Sequence, residues 1–279
     1  MSVWVNSIPV ISFLALYLVT FLVAKWIYNL LTPYDCNEQL TQKDNQAVAV
    51  GFAGYIIGIT IIFIGTAIGP TKGLQMDLIT VGGYSLLGIL CLKLAYFIND
   101  KLILNQFSNT KEVIEDKNVG TGVVQCGSYI SSACIIAGAV NGEGGGIVTL
   151  LAFFGLGQLA LILFAKVYEK LTPYSIHKQI EQDNVAAGVG FAGALVGLGI
   201  ILMKASAGNF ISWQHNLSKF GYYTCLAIVL LVIVRIFFDK LVLSKADLNK
   251  EIKQDKNTGA AILEAVSAIC FASILFFLV

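Results

Sequence analysis

Hydrophobic positions in this chain do not alternate with polar ones on the short periods of a soluble helix or strand; they run together. Eight stretches of roughly 20 residues pass almost without charge, the length an α-helix needs to cross the hydrocarbon of a bilayer. They cover 8 to 31, 47 to 69, 78 to 98, 119 to 140, 147 to 167, 185 to 205, 218 to 238 and 258 to 279. The first has no positive residue before it and no small-residue cleavage signature after it, so it is expected to be a permanent helix and not a removable signal. The pattern predicts an all-α, polytopic transmembrane bundle of eight helices.

The polar punctuation repeats. At an offset of 139, Asp44-Asn45-Gln46-Ala47-Val48-Ala49-Val50-Gly51-Phe52-Ala53-Gly54 aligns with Asp183-Asn184-Val185-Ala186-Ala187-Gly188-Val189-Gly190-Phe191-Ala192-Gly193, and eight of these eleven positions are identical. The same offset pairs Asp100-Lys101-Leu102 with Asp239-Lys240-Leu241, and Asp116-Lys117-Asn118 with Asp255-Lys256-Asn257. Leu31-Thr32-Pro33-Tyr34 matches Leu171-Thr172-Pro173-Tyr174 at 140. Agreement over nearly the whole chain means duplication. We expect one four-helix unit over residues 1–140, a glycine-rich flexible connector at 141–146 and a second unit over 147–279. Four crossings per unit return the chain to its starting side, so the units are expected to run parallel, related by a pseudo-twofold axis along the membrane normal. A weaker echo inside each unit, where Asn45, Asn118, Asn184 and Asn257 all precede an even-numbered stretch, suggests four related hairpins approaching fourfold symmetry.

Composition agrees with lipid as the solvent: 57% of the 279 residues are hydrophobic and 13% are charged, where a soluble domain carries about a quarter. Net charge is +1, which leaves no basic footprint for nucleic acid. The loops after the first, third, fifth and seventh stretches hold most of the lysines, among them Lys43, Lys101, Lys111, Lys117, Lys170, Lys178, Lys240, Lys245, Lys250, Lys253 and Lys256. The positive-inside rule therefore makes these loops cytoplasmic and both termini external or periplasmic, in a cell (inner) membrane. Acidic residues crowd the same loops, so the expected surface is mixed in charge and suited to a protein partner. Six cysteines without a CxxC pair fall mostly in apolar stretches and give no sign of a metal site or disulfides. No cofactor is expected. With His177 and His215 in different loops and no catalytic motif, no enzyme activity is expected either.

The candidate chemistry lies in the helices and at their ends. Gly51, Gly54 and Gly58, with Gly190, Gly193 and Gly197, share one helix face and are expected to make the second and sixth helices the inner packing seam. Asn45, Asn118, Asn184 and Asn257 are placed to cap helix N-termini. The residues before them alternate in sign, Asp44, Lys117, Asp183 and Lys256, and could pair between neighbours or ring an entrance if the hairpins surround an axis. Pro33 and Pro173 mark helix stops, with the adjacent tyrosines expected at headgroup level. Glu264, about two turns into the last helix, either marks an ion route or is a neutralised carboxyl in a packed interface; its counterpart in the first unit is Gln125. Lys93 and Arg235 are expected to snorkel from helix ends.

Taken together, the Leu31–Tyr34 turn and the Asp-Asn-x-Ala and Gly-Phe-Ala-Gly segments resemble the domain of unknown function family 350, also called the UPF0719 inner-membrane proteins. That resemblance implies four-helix units with a Thr-Pro turn, a polar loop and an Asn leading an Ala-rich helix, here two in tandem. It implies no catalytic residues. It also implies a neighbourhood with ATP-grasp enzymes resembling glutathionylspermidine synthase, and hence a cytosolic partner in a stress-response or polyamine-linked system. Ser175-Ile176-His177-Lys178 departs from Asp35-Cys36-Asn37-Glu38, so a fourfold acidic site does not follow. Two roles stay open: a channel-like or transport component for an ion or small solute using Glu264, or a scaffold docking a cytosolic protein, in either case with self-association into a homo-oligomer as a further option.

Overall fold

The computed structural model describes residues 3–244 and 246–278, with side chains from Ser7 onward; Lys245 lies outside the described residues. Twelve α-helices and two π-helical segments make up the described chain, and no strand occurs among the described residues. The long helices are α1 (Val3–Leu31), α3 (Gln46–Ala67), α4 (Leu74–Ile98), α6 (Val119–Val140), α7 (Ile147–Leu171), α9 (Val185–Ser206), α10 (Trp213–Phe237) and α12 (Thr258–Leu278). Between them lie four six-residue helices, α2 (Cys36–Thr41), α5 (Asn109–Ile114), α8 (Ile176–Glu181) and α11 (Leu248–Lys253). The π-helical segments Asn99–Ile103 and Phe238–Val242 extend α4 and α10. Seven helices are long and apolar enough to cross a membrane, namely α1, α3, α4 with its extension, α6, α7, α9 and α12. The remaining long helix, α10, is 25 residues and carries Lys219 and Arg235.

The helices stack in two layers. In the inner layer the contacts run α3 to α6 to α9 to α12, with α3 and α12 at opposite ends. In the outer layer α4 lies over α3 and α6, α7 over α6 and α9, and α10 over α9 and α12. The inner layer is a row and not a ring, so the four capped turns do not surround an axis. The seam expected from the glycines of α3 and α9 runs through the whole row. All four inner helices belong to it, because α6 and α12 supply the surfaces on which the glycines of α3 and α9 pack. A Cβ on Gly54 would collide with Cys126, one on Gly193 with Ala265, and one on Gly127 would stand 2.9 Å from Ala192. Backbones this close gain van der Waals contact, the attraction left when lipid removes any hydrophobic drive between helices.

At the connector end, Asn141 to Gly146 is pinned and does not hang as a free joint. The Gly208 N–H donates to Asn141 O, the Phe210 N–H to Glu143 O, and the Glu143 N–H to Asn209 Oδ1. Gly142, Gly144 and Gly146 have φ of 138°, 81° and 110°, a region that side chains with a Cβ rarely occupy, which explains the glycine run.

Candidate functional site

At the opposite end, where the short helices lie, each inner helix begins on the asparagine singled out in the sequence. Asn45 Oδ1 accepts from Val48 N (3.2 Å), Asn118 from Thr121 N (3.0 Å), Asn184 from Ala187 N (3.3 Å) and Asn257 from Ala260 N (3.1 Å). Each cap satisfies one of the free N–H groups of a helix's first turn. The residue before each cap, Asp44, Lys117, Asp183 or Lys256, sits at positive φ between 46° and 58°, the left-handed conformation that turns the chain from short helix to long.

The amide N–H groups of the caps hold more than their own turn. Each donates to a side chain of the preceding short helix: Asn45 to Gln39, Asn118 to Glu112, Asn184 to Gln179 and Asn257 to Glu251. Three also donate forward to a carbonyl of the next short helix, Asn45 to Val113 O (2.8 Å), Asn118 to Ile180 O (2.6 Å) and Asn184 to Ile252 O (2.7 Å). The result is a ladder in which every turn is bonded to the following one. Lys117 and Lys256 reach back to Lys43 O (2.6 Å) and Gln182 O (2.9 Å). These lysines therefore meet the backbone beside Asp44 and Asp183, and among the described residues no ion pair joins the alternating charges. Burial pushes the Glu112 carboxyl above the ordinary glutamate value; its bond from Asn118 opposes this, and the charges of Asp116, Glu181 and Asp183 add to it. The Gln or Glu five or six residues before each Asn was a legible spacing that sequence reasoning passed over.

Beneath the ladder lies the carboxyl of Glu264, 5% exposed. Arg235 of α10 donates to Glu264 Oε1, and Tyr168 of α7 approaches the same oxygen at 3.3 Å. The guanidinium stands 4.9 Å from the Tyr168 ring centroid and also donates to Asn249 of α11. Gly190 makes room for the carboxylate: a Cβ there would be 2.9 Å from Glu264 Oε2. Arg235 thus does not snorkel, because a buried carboxylate offers better solvation than a reach to the surface. Lys93 does not snorkel either; it is 3% exposed, with Nζ 5.1 Å and 4.9 Å from the ring centroids of Tyr28 and Tyr96. The tyrosines of the Thr-Pro turns pack into the protein. Tyr174 is buried, and the hydroxyl of half-buried Tyr34 meets that of Tyr28 at 3.0 Å. Pro33 and Pro173 fall just after the last residues of α1 and α7.

Space for a ligand is distributed unevenly. Beside Glu264 there is about 20 Å³, bounded by Phe164, Gly190, Leu231 and Ala268, enough for about one water. A cavity of about 990 Å³ opens at the connector end among Lys72, Asp77, Glu143, Thr149, Phe153 and Asn216, and the two share no lining residue. Among the described residues no group of three or more His, Cys, Asp or Glu could hold a metal ion, and all six cysteines are free.

The family model described as Domain of Unknown Function (DUF350) matches the chain twice, over residues 2–140 and 144–279. Among curated proteins, the UPF0719 inner membrane protein YjfL of Escherichia coli K12 is 26% identical over 95 residues, which is 34% of this chain and 71% of the relative. The same protein of Escherichia coli O157:H7 matches with the same 26% identity and the same coverage. No solved structure matches.

Proposed function

The chain belongs to the DUF350 family and carries two of its domains in tandem in a multi-pass membrane protein; from that premise we propose that it is a membrane scaffold whose ladder of capped turns docks a cytosolic protein. The observation that carries this reading is the ladder itself. Three forward asparagine bonds, at 2.6 to 2.8 Å, lock four short helices into one surface with fixed spacing. A docking surface gains affinity when its elements are already ordered, since less entropy is lost on binding. The exposed parts of that surface carry both signs, including Lys43 paired with Glu38, which suits a partner of mixed charge better than a polyanion.

In this reading all eight long helices span the membrane, α10 included, and residues 1–140 and 147–279 are parallel units around the 141–146 connector. The lysine-rich turn end faces the cytosol and both termini face outward. The tight inner seam and the neutralised Glu264 argue against a path through the row. A cysteine-reactive crosslinker placed at Asn37, Lys111, Lys178 and Lys250, one site per short helix, tests docking in cells. The expected product is one discrete crosslinked protein shared by several sites, lost when Asn118→Ala disrupts the ladder. Absence of any shared product overturns the reading.

Transport of an ion or small solute is a second reading, favoured by the roughly 990 Å³ cavity at the connector end. Flux in proteoliposomes that falls with Asp77→Asn or Lys72→Met, both lining that cavity, would establish it over docking.

A further inference from the structure

Each half buries one cation against the tyrosine four residues before its Thr-Pro turn, Arg235 on Tyr168 and Lys93 on Tyr28. The two cations come from positions one helical turn apart in the repeat (Lys93 aligns with Val232), and only one of them is neutralised. In the second half, Arg235 lies over the Tyr168 ring and donates to Glu264, whose carboxylate fits against Gly190. In the first half, Lys93 lies over the corresponding Tyr28, and the position corresponding to Glu264 is Gln125, whose Oε1 is 3.0 Å from where a Cβ on Gly51 would stand. The steric arrangement is retained while the negative charge is gone.

The surroundings of Lys93 are a box of tyrosines. Tyr28 and Tyr96 present their rings to the ammonium, and Tyr129, 2% exposed, stacks on Tyr96 with centroids 6.3 Å apart. Tyr55 packs on both Tyr28 and Tyr129, but its hydroxyl is occupied, donating to Ala24 O at 3.1 Å. Lys93 Nζ and the Tyr129 hydroxyl are both buried without a hydrogen-bond partner among the described residues. Both are donors. Cation–π contacts give an ammonium partial solvation but supply neither a hydrogen-bond acceptor nor the counter-charge that a buried cation needs. A water would accept from the donors but leave the charge uncompensated. An acceptor that also brings one negative charge answers both deficits.

We propose that Lys93 and Tyr129 bind a monatomic anion of halide size, chloride being the abundant one. The box is closed to solvent, with Tyr28, Tyr55 and Tyr129 each 2% exposed or less, and a monatomic ion is the smallest carrier of one negative charge. The anion does in the first half what the Glu264 carboxylate does in the second. It holds α4 to α1 and α6 through Lys93 without spending a charged side chain on the inner row.

Thermal melting of the full-length protein in detergent tests this, with sodium chloride replacing sodium gluconate at constant ionic strength. The expected result is a saturable rise in melting temperature with chloride or bromide of about 3 °C or more, the size that ligand linkage gives well above the dissociation constant. The rise is absent in Lys93→Met. It is also absent in Gln125→Glu, which restores an internal carboxylate and melts as high in gluconate as the wild type does in chloride. If Lys93→Met does not fold, Gln125→Glu still decides the matter. Broadening of the chloride-35 resonance by the wild type, reversed by bromide, is the independent readout. Equal melting of the wild type in chloride and gluconate overturns the proposal, as does an equal chloride response in wild type and Gln125→Glu.

Discussion

Asn118 of one half donates a 2.6 Å hydrogen bond to the Ile180 carbonyl of the other, while its own oxygen caps α6. Together with His177, whose Nε2 lies 2.7 Å from Ile103 O, this contact ties the two domains together at the turn end. The joint between domains therefore uses the same bond as the joints within each, Asn45 to Val113 and Asn184 to Ile252.

Replacing Asn118 by alanine removes a cap, a forward bond and the partner of Glu112 at once. The expected loss is about 2–4 kcal/mol, combining a lost cap of about 1 kcal/mol with buried groups left unpaired. Asn257→Ala, at the exposed end of the ladder with no forward bond, should cost about 1 kcal/mol. Denaturation in mild detergent measures both; equal losses would mean that the forward bonds contribute nothing.

Removal of one partner of the Arg235–Glu264 pair leaves an uncompensated charge in the membrane-spanning part. Arg235→Met and Glu264→Gln should each destabilise by about 3–5 kcal/mol, and the double variant by less than either alone. A double-mutant cycle in melting temperature reads the coupling. Additive losses would show that the two residues act separately.

The helical glycines of the two layers sort by what a side chain would meet. Gly54→Ala and Gly193→Ala place a methyl on Cys126 and Ala265 and should cost about 1–3 kcal/mol. Gly83→Ala and Gly155→Ala, where a Cβ meets nothing within 4 Å, should be neutral or stabilising by up to about 1 kcal/mol through helix propensity. A matching response at all four sites would remove close approach as the reason for the glycines.

Glu112 gives a pH dependence with a definite sign. Its carboxyl is held above the ordinary 4.5 in the folded protein, so the fold binds this proton more tightly than the unfolded chain does. Its contribution is present in full below 4.5 and is lost as pH rises through the folded value. Glu112→Gln keeps an acceptor for Asn118, as Gln39 and Gln179 do in their turns, and should raise the melting temperature at pH 7.5 with no gain below pH 4. Melting curves across that range decide it; a gain that grows on acidification would reverse the sign.

Much of the fold was legible because lipid imposes a one-dimensional rule. Every helix must be apolar for its whole crossing, so charge-free runs locate helices within a few residues, as 119 to 140 and 185 to 205 do for α6 and α9. The asparagines were legible as caps because a cap is local, acting within three residues. The four short helices were not, being six residues each and amphipathic only in place.

The candidate site divides along the same line. Glu264 stood out by itself, since a carboxylate in an apolar run is anomalous wherever its neighbours lie. Arg235 and Lys93 were misplaced because both lie near helix ends, and position along a helix says nothing about which way a long side chain turns. That depended on a carboxylate 29 residues away in one case and on a box of tyrosines from four helices in the other.

The sequence by itself determined the solvent, the helices and the duplication, because hydropathy and repeats are properties of the chain read in order. Only the tertiary structure decided that the inner helices form a row, that each turn bonds the next, and that one buried cation has a counter-charge while the other lacks one. Those relations join residues tens of positions apart, and they exist only once backbones approach closely enough for short-range contact and hydrogen bonding to act.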